Sequence, residues 1–346
     1  MSRRDLPESD HKTTLFLLVG FFSGILVSII FAVLFSYTQT KSTIKKSWRE
    51  SNVPTATVYK FTDPLLGISL VQVDSPEYAD LKNGIDSYIA KQKNNTNLVS
   101  ASVYVRDIMN AEGFQINPQR TYPSGSLMKV PLMMAYYSLA QKDPGTLSQQ
   151  IYYSGEQDLD AGEEIKSPIQ LTPGSKYSVE QLIEHMIRYS DNNAMDLLFK
   201  NLSSTHHHNA LTDLFANLGV DFNLIDKTDV QSYSEFLRVL YNATYLDRDY
   251  SEKALSLLTR TDFTRGLKEG VPDSVTVAEK FGETKLVDTN GQIKAAVLHN
   301  CGIIYYPKHP YLLCVMTVGH ANKDLETVIK NISQMTFKEM EKRYPF

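Results

Sequence analysis

The run Pro131-Leu-Met-Met-Ala-Tyr-Tyr-Ser-Leu139 carries no charge, and an apolar stretch of that length has to be a helix buried on all sides. Directly ahead of it stands Tyr122-Pro-Ser-Gly-Ser-Leu-Met-Lys-Val130, which brings Ser126 and Lys129 to the helix start. Three residues apart, the two side chains share one helix face. A serine hydroxyl needs a base to become a nucleophile at neutral pH. Lys129 can be that base if it is neutral, a state favoured by burial and by a neighbouring cation. The helix start also sets backbone N–H groups and the positive end of the dipole beside any oxyanion that forms. This is the chemistry of acyl transfer.

Alone, Ser-x-x-Lys is a short pattern, equally readable as a helix start with a solvated lysine. Two further stretches change that. Ser190-Asp191-Asn192 closes a helix-like segment, Val179 to Tyr189, and Lys280-Phe281-Gly282 ends the alternating run Ser274-Val-Thr-Val-Ala-Glu279. Ser-x-x-Lys, then Ser-Asp-Asn, then Lys-x-Gly, in that order, is the motif set of class A β-lactamases and penicillin-binding proteins. From Ser100 to about Gly319 the chain resembles that superfamily in the spacing of its motifs, helices and strands.

The resemblance implies an α+β fold of the β-lactamase/transpeptidase type, with a five-stranded antiparallel sheet flanked by terminal helices and a helical domain inserted between its halves. It assigns residues 76–346 to this domain, with 76–118 and 265–346 as the α/β part and 119–264 as the helical part. It also implies roles. Ser126 attacks an amide carbonyl and Lys129 takes its proton. Ser190, with Lys280, passes a proton to the departing nitrogen. Asn192 donates to the substrate amide, Phe281 and Gly282 line the substrate, and the N–H groups of Ser126 and Glu283 form the oxyanion hole. No metal or organic cofactor is required.

Hydrophobic residues make up 42% of the 346, enough for a sizeable core, and a net charge of −4 gives no footprint for nucleic acid. Residues 1–13 form a short charged N-terminus. From Thr14 to Tyr37 there is no charged residue, a length that spans a bilayer as one helix, and the following residues offer no Ala-x-Ala cleavage site. Residues 14–37 therefore read as an uncleaved single-pass anchor, and 38–75 as a linker passing into an ordered lead-in from Val58. Basic residues on the two flanks balance, so the resemblance alone places the domain outside a bacterial cell membrane. Gly20, Gly24, Ser28, Ala32 and Ser36 recur every four residues, a stripe through which two such helices could pair as a homodimer.

The departures bear on substrate and turnover. Class A β-lactamases activate the deacylating water with a glutamate in a Glu-x-x-Leu-Asn setting. Here Leu218 to Val230 runs almost straight into the next helix and has no such motif, leaving Asp226 and Asp229 as candidate substitute bases or as turn and cap residues. Phe281 stands where the family usually has a hydroxyl that binds the substrate carboxylate, and Lys285 is a candidate replacement for the missing charge.

Cys301 and Cys314 fall on one face of a hairpin, roughly diagonal when counted from a turn at Pro307 to Pro310, so a disulfide and two buried thiols both remain open. His206-His207-His208 reads as a solvated loop, since consecutive residues point apart and no other ligand set joins them. Three functions stay in play. One is a membrane-anchored serine hydrolase acting on β-lactams or D-Ala-D-Ala-type peptidoglycan stem peptides, with slow deacylation. Another is a true β-lactamase whose base is Asp226, Asp229 or Glu283. The third is a penicillin-sensing module that stays acylated.

Overall fold

The structure, a computed structural model, describes residues 59–63, 74–95, 97–205, 207–222 and 226–345. The expected anchor at 14–37 and its small-residue stripe lie outside the described residues. Among the described residues no helix is long and apolar enough to cross a membrane.

Helix α1 (Ala79–Asn95) leads into β1 (Leu98–Asp107) and β2 (Gly113–Ile116). The chain then enters a mostly helical stretch. It holds β3 (Tyr122–Pro123), α2 (Lys129–Lys142), β4 (Gln150–Tyr153), β5 (Ser175–Ser178), α3 (Val179–Arg188), α4 (Asn192–Ser204), α5 (Ala210–Leu218), β6 (Lys227–Thr228), α6 (Val230–Tyr241) and α7 (Arg248–Leu258). Strands β7 (Val277–Val287), β8 (Ile293–Ile304) and β9 (Tyr311–Gly319) follow, and α8 (Asn322–Arg343) closes the domain. The five-stranded sheet has the order β2-β1-β9-β8-β7, with every neighbouring pair antiparallel. It is built from both ends of the domain, as expected.

Alternation along the strands makes the sheet two-faced. Val103, Val105, Leu313 and Val315 pack with Ile85, Ile89, Val328, Ile329 and Ile332 of α1 and α8. Tyr104, Val297, Ile303, Leu312 and Met316 point the other way, into the helical part. There α2 is buried from Lys129 to Tyr137 without a break, which is why its sequence has no polar face. Residues 59–63 dock on this body. Phe61 packs edge-on against Tyr305, and its N–H donates to the Glu252 carboxylate.

Two boundaries differ from the sequence reading. Strand β7 runs on past Gly282 to Val287, so the Lys-Phe-Gly stretch lies mid-strand. The β8–β9 hairpin closes with Ile304 opposite Tyr311, because Tyr305 and Tyr306 leave the ladder before the prolines. That moves the register by two residues relative to a turn at Pro307 to Pro310. Cys301 and Cys314 are thus directly opposed rather than diagonal, and they are disulfide-bonded. The bridge lies in a row across the sheet, with Lys280 on one side and Tyr104 on the other.

Candidate active site

The nucleophile turn is fixed from both sides. Strand β3 pairs with β6, and Ser124 N–H donates to the Asp226 carbonyl at 3.0 Å. The imidazole of His299 on β8 lies with Nε2 2.9 Å from the Pro123 carbonyl, and its Nδ1 accepts from Thr317 N–H. Burial pushes this histidine down to about 4, so it is neutral at pH 7, with the tautomer assigned from those partners. Residues Gly125–Met128 form a 3₁₀ turn that runs into α2. In a 3₁₀ turn residues i and i+3 eclipse, so Ser126 and Lys129 stack, and Lys129 Nζ lies 2.8 Å from Ser126 Oγ. Ser126 is partly exposed while Lys129 is fully buried.

Two glycines let this turn press against β7. Gly125 has φ +52°, and a Cβ there would stand 2.7 Å from the Glu283 carbonyl oxygen. A Cβ on Gly282 would stand 2.9 Å from the Ser124 carbonyl oxygen and 2.8 Å from Leu127 Cγ. Backbone contacts of that kind cannot be relieved by a rotamer change. Gly282→Ala is accordingly expected to slow acylation of Ser126 more than about tenfold by displacing the turn from β7. The measurement is labelling rate per folded molecule, with folding followed by near-ultraviolet circular dichroism. A labelling rate within twofold of the unchanged chain would show that the close approach is not needed.

The Ser-Asp-Asn stretch joins two helices rather than simply closing one. Helix α3 begins with a capping box formed by Ser178 and Gln181, and α4 is capped by Asp191, whose Oδ1 accepts from Ala194 N–H at 2.8 Å. Between them Ser190 has φ +57°, a conformation that costs a non-glycine residue about 1–2 kcal/mol. The twist turns both its carbonyl and its hydroxyl toward the buried amines. Ser190 Oγ lies 3.2 Å from Lys129 Nζ and 2.9 Å from Lys280 Nζ, and Lys129 also donates to the Ser190 carbonyl. Lys129 Nζ is 2.6 Å from Asn192 Oδ1.

Ser126, Lys129, Ser190, Asn192 and Lys280 thus form one connected hydrogen-bonded chain. Burial is the main force on both lysines. It lowers Lys129 to about 8, against the pull of Asp160, Asp191 and Glu163. Lys280 is lowered well below its usual range by burial and then by Lys129, with Glu279 opposing.

The carboxylates around Asn192 had no motif to announce them. Asp160 Oδ1 accepts from Asn192 N–H at 2.9 Å, and its Oδ2 accepts from the Asn193 amide. Glu163 accepts from Asn192 Nδ2 at 3.0 Å. Both lie in the acidic stretch Glu156 to Glu164, whose composition reads as a solvated loop. Burial pushes Asp160 up to about 6. Its charge raises the Lys129 pKa, so Asp160→Asn is expected to move the inflection in the acylation pH profile to lower pH. A profile unmoved or moved to higher pH would remove Asp160 from the electrostatics of the site.

Other expected site residues have different duties. Asp229 is a helix cap, not a base: Oδ1 accepts from Gln231 and Ser232 N–H, and Oδ2 from Ser232 Oγ. The Glu283 carboxylate accepts from Ile165 N–H and from Asn322 Nδ2, which directs it to the loop and to α8 instead of to a water beside Ser126. Lys285 donates to the Gly162 carbonyl at 3.1 Å and pins the same loop. The Phe281 ring stacks on Phe263 with centroids 4.4 Å apart, and Lys280 Nζ lies 4.2 Å from its centre. Asp226 is exposed and lines a pocket with Gly125, Met128 and Met195 beside the nucleophile turn. His206 lies outside the described residues, and His208 Nδ1 sits 3.3 Å from the Thr205 carbonyl, within the loop ahead of α5.

No curated protein sequence matches the chain. Among solved structures, one described as PBP-A is similar at 20% identity and TM-score 0.63, covering 79% of this chain and all of that one. A variant of PBP-A described as an acyl-enzyme complex with penicillin G is similar at 19% identity and TM-score 0.62, over 76% of this chain and 97% of that one. A class A β-lactamase from Mycobacterium abscessus is similar at 19% identity and TM-score 0.61, over 73% and 98% of the two chains. At such identities these likenesses show the fold. The sequence profile of the β-lactamase enzyme family matches residues 80–340, most of the chain. On that match, over a domain holding a serine and two buried lysines in one hydrogen-bonded chain, the protein belongs to the β-lactamase enzyme family.

Proposed function

We propose that this protein is a serine hydrolase that forms an acyl-enzyme on Ser126 with β-lactams or with D-Ala-D-Ala-type peptidoglycan peptides, and that it releases the acyl group slowly. The observation that carries the reading is the unbroken path from Ser126 Oγ through Lys129 and Ser190 to Lys280. A neutral Lys129 has two N–H groups, which the Ser190 carbonyl and Asn192 Oδ1 can accept, and one lone pair, which faces the Ser126 hydroxyl. As the Ser126 oxygen bonds to the carbonyl carbon, its proton passes to Lys129. As the C–N bond breaks, a proton reaches the departing nitrogen from Ser190, and Lys129 and Lys280 restore it. The N–H groups of Ser126 and Glu283, brought close by Gly125 and Gly282, serve as oxyanion donors in this reading.

Slow release follows from the absence of a Glu-x-x-Leu-Asn motif and from the capping duty of Asp229. Asp226 supports the second reading, a β-lactamase with a substitute base, because it lines a pocket beside the nucleophile turn. The uncharged run Thr14 to Tyr37 supports a membrane-anchored enzyme, and the family resemblance alone puts its domain outside the cell. The direct test is incubation of the full chain with a fluorescent penicillin. Covalent label is expected on Ser126 and none on Ser126→Ala. Equal labelling of both, or none of either, would reject the assignment.

A further inference from the structure

The loop between β4 and β5 is tied, along residues 158–165, to both walls that flank Ser126. On one side Leu159 N–H donates to Asn193 Oδ1 at 2.9 Å, and Asp158 Oδ1 accepts from Asn193 Nδ2 at 3.1 Å, which fastens the loop to the start of α4. On the other, Ile165 N–H donates to the Glu283 carboxylate at 3.0 Å and the Gly162 carbonyl accepts from Lys285 at 3.1 Å, which fastens it to β7. Both walls adjoin the nucleophile. Asn192 and Ser126 share the Lys129 amine, and the Gly125 turn presses on Glu283 of β7, the edge strand of the sheet. The feet of the loop meet at Gly155 and Pro173, where a Cβ on Gly155 would stand 2.5 Å from Pro173 Cβ, so the loop can lift from the site without parting β4 from β5.

The contact that decides its role is at Asn192. A side-chain amide nitrogen carries two hydrogens. In Asn192 one points to Glu163 Oε1 at 3.0 Å and the other to the Leu159 carbonyl at 3.4 Å. Both donors are therefore held by the protein's own loop, although the acyl-transfer reading needs one of them for the substrate amide. A carboxylate is a stronger acceptor than an amide carbonyl, so a substrate that arrives while Glu163 is in place loses the competition.

We propose that residues 158–165 are a strap that holds the site closed in the free protein, with Glu163 occupying the Asn192 amide, and that acylation waits on the strap's release. The inference rests on the acyl-transfer reading of Ser126 and names how that site is controlled. The substrate has to displace one of the chain's own carboxylates, and its apparent affinity falls in proportion to the fraction of molecules whose strap is open.

Glu163→Ala removes the competitor. Its labelling by a fluorescent penicillin, in the full chain, below saturation and per folded molecule, is expected to be at least about fivefold faster than that of the unchanged chain. Glu163 also helps to hold Lys129 charged, so the comparison is made at about pH 9.5, above the Lys129 value of about 8, where that effect is gone. Lys285→Met frees the other end of the strap with Glu163 in place, and is expected to quicken labelling at least about twofold. Equal or slower labelling of either variant would overturn the proposal, because a loop that merely shapes the site costs rate when it is loosened. No labelling of any form would strike the acyl-transfer reading instead. The strap would then be read from amide hydrogen exchange at Leu159 and Ile165, expected to be at least about tenfold faster in Glu163→Ala than in the unchanged chain, with unchanged exchange overturning it.

Discussion

Lys129→Met is expected to acylate about 1,000-fold more slowly than the unchanged chain when Ser126 is labelled with a fluorescent penicillin, within the range of 100- to 10,000-fold for loss of a positioned base. Methionine fills nearly the same volume but cannot take the hydroxyl proton across the 2.8 Å that separates Lys129 Nζ from Ser126 Oγ. Stability moves far less, because two effects oppose. A buried lysine lowered to about 8 is harder to charge in the folded state than in the unfolded one. At pH 7 both states hold the proton, and the folded state bears a penalty of about 3 kcal/mol that shrinks only as pH rises from 8 toward the unfolded value. Methionine removes that penalty but leaves the Ser190 carbonyl and Asn192 Oδ1 without their donor, at roughly 1–3 kcal/mol each. A large drop in labelling with little change in melting temperature is the expected signature, and parallel loss of both would point to a structural role. In the unchanged chain, labelling should rise about tenfold per pH unit up to an inflection near pH 8, where Lys129 becomes neutral. A rate that is flat from pH 6 to 8 would exclude Lys129 as the base.

The parts of this molecule legible in its sequence are those fixed by short-range rules. An uncharged run beside Ser126 and Lys129 could only be a buried helix, and α2 is one. Ser178 with Gln181 three residues on is a capping-box pattern, and it starts α3; Leu81, Ile85 and Ile89 in α1 and Leu325, Val328, Ile329 and Ile332 in α8 recur at helical spacing, and both helices cover the sheet. Pairing across the sheet was harder. The strand β2 is four residues long and has no distinct alternation, and the disulfide depended on Tyr305 and Tyr306 leaving the ladder, a choice made by tertiary packing.

The site divides in the same way. Ser126, Lys129, Ser190 and Lys280 carry their own spacing, whereas Asp160 and Glu163 meet Asn192 from a loop some thirty residues earlier in the chain. Composition shows that such a loop is acidic but not where it folds back. Glu283 is legible through its backbone only, since the tie its side chain makes between the loop and α8 depends on the strand face on which it lies.

The acyl group on Ser126 is expected to leave slowly, with label persisting after free penicillin is removed and with release 100- to 10,000-fold slower than an enzyme with a positioned base would achieve. Acylation and release make different demands. Lys129 can deprotonate Ser126 from its own helix, but release needs a second group that holds a water against the ester. Asp229 is excluded by its three cap bonds, and the Glu283 carboxylate by its bonds to Ile165 and Asn322. Asp226 remains. Its backbone carbonyl is tied to Ser124, while its side chain is exposed in the neighbouring pocket. An exposed carboxylate in the turn just ahead of β6 is a poorly held base, so Asp226→Asn is expected to leave the release rate within about threefold of the unchanged chain, far below the effect of losing a positioned base. Release within seconds that slows at least a hundredfold in Asp226→Asn would instead make Asp226 the deacylating base and the protein a true β-lactamase. Persistent label in both forms would leave water activation as the missing step.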